Sequence, residues 1–154
     1  MSAFEFRLAS LVLRLLGWVF DRLPARPDRV VLATARLGVL EGNLLALHDA
    51  IRRLRPATDL VLLLEPYGYG LGAKLRYLAR TIRGTYHVRT AGLVVVDNAY
   101  LPIHVARHRP RTTVVQVWHA AGALKRFGVD NVVTPSEPER TFLHRHYDYV
   151  VASG

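Results

Sequence analysis

Apolar positions recur with two different periods along this chain, and the switches between them mark out its elements. Over residues 3–23, Phe4, Leu8, Leu11, Val12, Leu15, Leu16, Val19 and Phe20 fall on one side of a helix, and Arg7, Ser10, Arg14, Gly17 and Asp21 on the other. Pro24 and Pro27 then break the pattern in a short linker over 23–28. Beyond it the apolar runs shorten and become nearly continuous. Residues 29–34, 60–64, 92–96 and 112–118 read as β-strands, and the uniformly apolar 60–64 predicts burial on both faces. Residues 43–54, with Leu44, Leu47, Ile51 and Leu54 on one face and Asn43 as N-cap, read as a helix, as do residues 73–82. Residues 147–152 complete the set as a fifth strand. Strands alternating with helices predict an α/β fold with a parallel, doubly wound, Rossmann-like sheet flanked by helices.

The first helix stands apart from that alternation. Two arginines inside its apolar run argue against a membrane-spanning segment, and Arg14 interrupts what would be a signal-peptide core. Two readings stay open. Residues 1–23 form a monotopic helix lying in a membrane interface, with Arg7, Arg14, Trp18 and Phe20 against the lipid, or the helix packs on the sheet of its own domain. Residues 28–154 are the domain itself.

Composition narrows the partners. The chain has 154 residues, is 51% hydrophobic and carries a formal charge of +9, which suits a folded domain with an anionic partner: nucleic acid, a phospholipid surface or a phosphorylated substrate. No aromatic–basic platform or nucleic-acid motif accompanies the charge, so nucleic acid is not expected. The absence of cysteine excludes disulfides, thiolate metal sites and cysteine nucleophiles. His104 and His108 have the spacing of metal ligands on a helix, but no carboxylate completes a set, so both are expected on the solvated surface. His144 and His146 are read the same way. No metal and no cofactor is implied. Gly68, Gly70 and Gly72 lack phosphate-loop spacing and read as a flexible loop. Arg107, Arg109 and Arg111 form either a solvated loop or a collar for phosphates or lipid headgroups.

One stretch concentrates chemistry. The strand 112–118 ends in His119, two alanines and Gly122, followed by a short helical stretch that carries Lys125 and Arg126 and stops at Gly128. Open α/β sheets bind ligands at the carboxyl ends of their strands. A histidine there suits a general base, since it titrates near neutral pH. Gly122 permits close backbone approach, the helix N-terminus beyond it can receive a phosphate, and Lys125 can add a full positive charge. Asp97 and Asn98 end the preceding strand, where they reach a ligand or simply make a turn. From the residues alone His119 is either that base or a buried structural histidine.

The run W-H-A-A-G-A-L-K-R-F-G resembles the W-H-G-T-P-L-K-x-x-G signature of the CDP-glycerol glycerophosphotransferase family, the teichoic-acid primases and polymerases. Trp118, His119, Lys125 and Gly128 coincide with it, while Ala120, Ala121, Gly122 and Ala123 depart from its Gly-Thr-Pro-Leu. Gly42-Asn43-Leu44, Asp97 at a strand end and Val114-Val115-Gln116 before the motif extend the similarity from about Arg29 to the end of the chain. The resemblance implies the first, acceptor-side half of a two-domain GT-B enzyme, whose second domain binds CDP-glycerol and is absent from this chain. It implies that His119 takes the proton from a hydroxyl of a lipid-linked polyol-phosphate or saccharide acceptor, which attacks the β-phosphate and expels CMP. Gly122, Lys125, Asp97 and Asn98 would bind substrate, at the cytoplasmic face of the membrane. These 154 residues alone are then expected not to turn over CDP-glycerol. A non-catalytic membrane- or polyanion-binding module, and a related GT-B glycosyltransferase using a sugar nucleotide, remain as other readings.

Overall fold

The computed structural model describes residues 3–36, 38–66, 70–105, 107–117 and 145–151, with side chains from residue 7 onward. Its elements are α1 (Ala3–Phe20), β1 (Arg26–Thr34), α2 (Gly42–Leu54), β2 (Asp59–Leu64), α3 (Leu71–Thr90), β3 (Ala91–Val96), α4 (Leu101–His104), β4 (Thr113–Val117) and β5 (Tyr149–Val151). The five strands form one sheet in the order β2-β1-β3-β4-β5, and every neighbouring pair is parallel. This is the doubly wound α/β arrangement that the alternation of elements predicts.

The winding reverses between β1 and β3. Before that point α2 covers one face, where Leu44, Leu47 and Ile51 pack on Leu32, Val95 and Val117. After it α3 and α4 cover the other, where Val88, Tyr100 and Ile103 pack on Val31, Ala33, Val94, Val96 and Val114. Successive strand residues therefore feed opposite cores, which explains why β1 and β3 lack a polar face. The register sets Ala33 beside Val96 and Val96 beside Gln116.

Several boundaries differ from the pattern-based expectation: β1 begins at Arg26, inside the stretch expected as linker, and β5 spans only Tyr149–Val151. Asn43 is not the N-cap of α2: the helix starts at Gly42 after Glu41, which makes no side-chain capping bond. The helix expected over 73–82 runs for 20 residues as α3, passing straight through Gly84. That glycine is a packing device, since a Cβ there would overlap the hydroxyl of Tyr100. Its missing side chain lets α3 and the segment after β3 close on each other.

Helix α1 packs on α3 rather than on the sheet. The side it buries carries the small and polar residues Ser10 and Gly17 beside Leu13, and Gly17 abuts the guanidinium of Arg89. Arg89 is itself buried and holds the junction, donating to Asp21 at 3.2 Å and to the Arg107 carbonyl at 2.7 Å. Arg109 adds an ion pair to Asp21 at 3.3 Å and a bond to the Leu23 carbonyl, so this member of the arginine cluster is structural. The opposite, leucine-rich side of α1 faces outward. Leu11, Leu15 and Trp18 are 55%, 58% and 62% exposed. Arg14 donates to the Val105 carbonyl at 2.8 Å, and Phe20 turns inward to meet Tyr86 edge-on. No helix among the described residues is long and apolar enough to cross a membrane.

Candidate functional site

The winding reverses between β1 and β3, and the carboxyl ends of strands at such a reversal are where open α/β sheets bind ligands. Thr34 closes β1 there, accepting from the amide of Glu65 through its carbonyl (2.9 Å) and from the amide of Arg36 through its hydroxyl (3.2 Å). Arg36 is exposed just past the strand, a cation that hydrophobic periodicity had no means of singling out. Asp97 and Asn98 follow the end of β3, the strand next to β1, as a half-buried bend. β4 follows next in the sheet and ends at Val117, two residues before His119. His119, Gly122 and Lys125 themselves lie outside the described residues, as do His144 and most of the loop at Gly68.

Beneath that edge runs a line of buried polar side chains. Glu65, immediately after β2, is 3% exposed and accepts a hydrogen bond from the Tyr100 hydroxyl at 2.7 Å. Burial pushes its carboxyl above the ordinary value, against the opposing effects of Tyr100, Arg83 and Arg80. Burial, and then the charge of Glu65, push the Tyr100 hydroxyl well above its own ordinary value, so Tyr100 remains the donor. The amide of Tyr100 donates to Nε2 of His104 at 3.0 Å. A backbone N–H can only donate, so Nε2 accepts and the neutral imidazole carries its proton on Nδ1. Tyr147, leading into β5, stacks edge-on against that ring at 5.6 Å.

The segment between β3 and α4 is thus pinned at Tyr100 from two directions, by its side chain to β2 and by its backbone to α4. This fixes the exit path of Asp97 and Asn98. Gln116 completes the floor from β4: it is fully buried, and neither of its amide atoms has a hydrogen-bond partner among the described residues.

Neither His104 nor His108 is on the solvated surface. His104 packs in the core between Tyr100 and Tyr147, and His108 is buried with Nε2 3.2 Å from Asp148. Spacing alone treated them as a helical pair, whereas α4 ends at His104 and the chain turns before His108. His146, also expected at the surface, is half-buried with φ 66°. Among the described residues no three His, Cys, Asp or Glu side chains gather as metal ligands. Pattern reading missed Glu65, Tyr100 and Gln116. The available signal was polarity at the end of apolar strands, as in Leu63-Leu64-Glu65 and Val114-Val115-Gln116.

Comparison with known proteins adds an independent line. The profile of the family described as CDP-glycerol:poly(glycerophosphate) glycerophosphotransferase matches residues 17–154. The teichoic acid ribitol-phosphate primase of Bacillus spizizenii is 32% identical over 136 residues, covering 85% of this chain and 35% of that protein. The teichoic acid poly(ribitol-phosphate) polymerase of the same species is 28% identical over 140 residues, or 88% of this chain and 21% of that protein. The teichoic acid glycerol-phosphate primase of Bacillus subtilis is 32% identical over 75 residues, or 45% of this chain and 19% of that protein. The chain spans about a third or less of the length of these curated relatives.

Proposed function

Because this chain belongs to the CDP-glycerol:poly(glycerophosphate) glycerophosphotransferase family, we propose that it is the acceptor-side domain of a transferase in teichoic-acid-type polymer synthesis. The donor is CDP-glycerol, bound by a second domain of a GT-B pair, and the acceptor is a hydroxyl of a lipid-linked polyol phosphate or saccharide. The observation that carries the reading is that β4 pairs with β3 and ends at Val117, immediately before the Trp118-His119 motif in sequence, while β3 ends immediately before Asp97 and Asn98.

The reaction needs little covalent work from the protein. His119 takes the proton as the acceptor oxygen bonds to the β-phosphorus of CDP-glycerol. The bond from that phosphorus to the bridging oxygen breaks, and CMP leaves with the electron pair. Catalysis of such a displacement is mainly positioning and charge stabilisation. Lys125 and the backbone at Gly122 would neutralise phosphate oxygens, while Asp97 and Asn98, held by the pinned segment behind them, orient the acceptor.

The leucine-rich face of α1 supports a peripheral position on the inner membrane surface, where a lipid-linked acceptor presents its hydroxyl. The test is CMP release from CDP-glycerol with such an acceptor, in an intact transferase carrying this domain. His119→Ala is expected to lower turnover about 10²- to 10⁴-fold, the range supplied by a positioned general base. Unchanged turnover with an intact fold would refute the assignment.

A further inference from the structure

Helix α3 carries a row of cations that no acid answers. Arg76, Arg80 and Arg83 stand at i, i+4 and i+7, so they share one side of the helix, within about 60° of its circumference. All three are exposed, and none makes an ion pair or a side-chain hydrogen bond among the described residues. The helix itself contains no Asp or Glu. The two carboxylates of the neighbouring strand β2 are engaged elsewhere: Glu65 is buried against the Tyr100 hydroxyl, and Asp59 is paired with Arg29 at 2.8 Å. The charge of the row is felt in the interior. Burial, then the charges of Arg29 and Arg83, drive His87 down to about 4, and Arg83 and Arg80 oppose the rise that burial gives Glu65. Like charges one turn apart destabilise a helix, and no described residue offsets them here.

Spacing and surroundings decide what fits. Successive members of the row are separated by about 6 Å and about 4.5 Å along the helix axis. A flexible chain with one phosphodiester per small polyol repeats its charge at a comparable interval, and an arginine fork holds a phosphate through paired N–H groups. A nucleic acid brings bases as well, which need aromatic faces to stack on. The two aromatic residues of α3 are used elsewhere, Tyr86 against Phe20 and Tyr77 on the side turned to α1. Leu78 and Thr81, also on that side, lie about half a turn round the helix from the row. The arginines therefore face away from the helix whose leucines would enter a membrane.

We propose that Arg76, Arg80 and Arg83 form a binding track for a linear polyol-phosphate chain, one phosphate to each guanidinium. The polymer-synthesis reading supplies the identity of that chain, and the inference rests on it to that extent; the row stands without it. None of the three arginines is assigned to the reacting centre. The track holds the polymer by repeats already formed, so that affinity depends on chain length.

The experiment titrates glycerol phosphate oligomers of one to five phosphates into the purified chain. Affinity is expected to rise about two- to fivefold with each phosphate up to the third, what one exposed ion pair is worth, and then to level off. For the three-phosphate oligomer, log affinity should fall against log salt with a slope of about −2. Arg76→Gln/Arg80→Gln/Arg83→Gln keeps good helix formers at exposed positions and is expected to lose about eightfold or more. Its control removes the same charge elsewhere, at the exposed Arg53, Arg55 and Arg111, and is expected to lose less than about twofold. Equal affinity for one phosphate and for three, or a row variant that binds as its control does, overturns the track. Tighter binding of a single-stranded deoxyoligonucleotide with the same number of phosphates overturns the polyol assignment. Loss of flotation with phosphatidylglycerol vesicles in the row variant, with oligomer binding unmoved, gives the row to the membrane instead. In an intact transferase carrying this domain, the row variant should raise KM for acceptors of three or more phosphates and leave kcat unchanged. Absence of CMP release there, alongside an intact oligomer series, overturns the proposed reaction and leaves the track standing.

Discussion

Replacing Tyr100 by phenylalanine tests the buried line beneath the candidate site. The substitution removes one oxygen and keeps the ring that packs with Val88 and Ile103. Glu65 then loses the only hydrogen bond to its Oε2 among the described residues, and its Oε1 already has no partner among them. A hydrogen bond to a charged group contributes about 1.5–3 kcal/mol, and leaving the acceptor buried forfeits all of it. For a chain of this size that corresponds to a fall in melting temperature of roughly 3–12 °C.

The pH dependence sharpens the test. Glu65 holds its proton more tightly folded than unfolded, so it costs stability as pH rises from 4.5 through its folded value. The Tyr100 hydroxyl opposes that rise, so Tyr100→Phe should widen the gap and steepen the loss towards neutral pH. Below 4.5, where the carboxyl is protonated in both states, the cost should shrink to that of a neutral hydrogen bond, about 0.5–1.5 kcal/mol. Urea midpoints at constant slope, read for wild type, Tyr100→Phe, Glu65→Gln and the double variant, give the coupling. A coupling below about 0.5 kcal/mol, or a cost that is the same in acid and at neutral pH, would refute the reasoning.

Two further outcomes follow from neighbouring contacts. Gly84→Ala should destabilise by about 1–3 kcal/mol although alanine favours helix, because its Cβ displaces the Tyr100 hydroxyl; adding Tyr100→Phe should recover part of the loss in thermal melts, and no recovery would locate the clash elsewhere. Burial, followed by the charge of Arg29, lowers His87 from 6.5 to about 4, and its Nδ1 accepts from Arg29 at 3.1 Å. Its unfolded form binds a proton that the folded form refuses, so stability is complete above 6.5 and falls as pH drops through that window. With screening at a half-buried ring the loss should be about 1–2 kcal/mol, and urea midpoints that move equally in His87→Gln would assign it to another group.

The strands were legible because each is a nearly unbroken apolar run, which a sheet buried on both faces demands. The length of α3 was not, since Gly84 reads as a breaker until its contact with Tyr100 is known. The facing of α1 was illegible in principle. A helical pattern states which residues share a side, not which side meets the protein, and here the small residues Ser10 and Gly17 win the interior because Arg89 and Asp21 clamp that side. The position of Asp97 and Asn98 at the end of β3 could be read from their place after an apolar run, and the family from the motif at His119. Glu65 and Gln116 were hidden because their roles depend on neighbours brought by other strands.

The docking of α1 on α3 also fixes an order of events during synthesis. Phe20 and Thr90 are about 70 residues apart, so at ribosomal rates of about 5–20 residues per second several seconds separate the completion of the two helices. Until Leu71 is added α1 has none of α3 to pack against, and until Arg89 is added it lacks the clamp on Asp21. Helix α1 thus gains its packing partner only after the β1–β2 pair can form and before the β1–β3 pairing is complete.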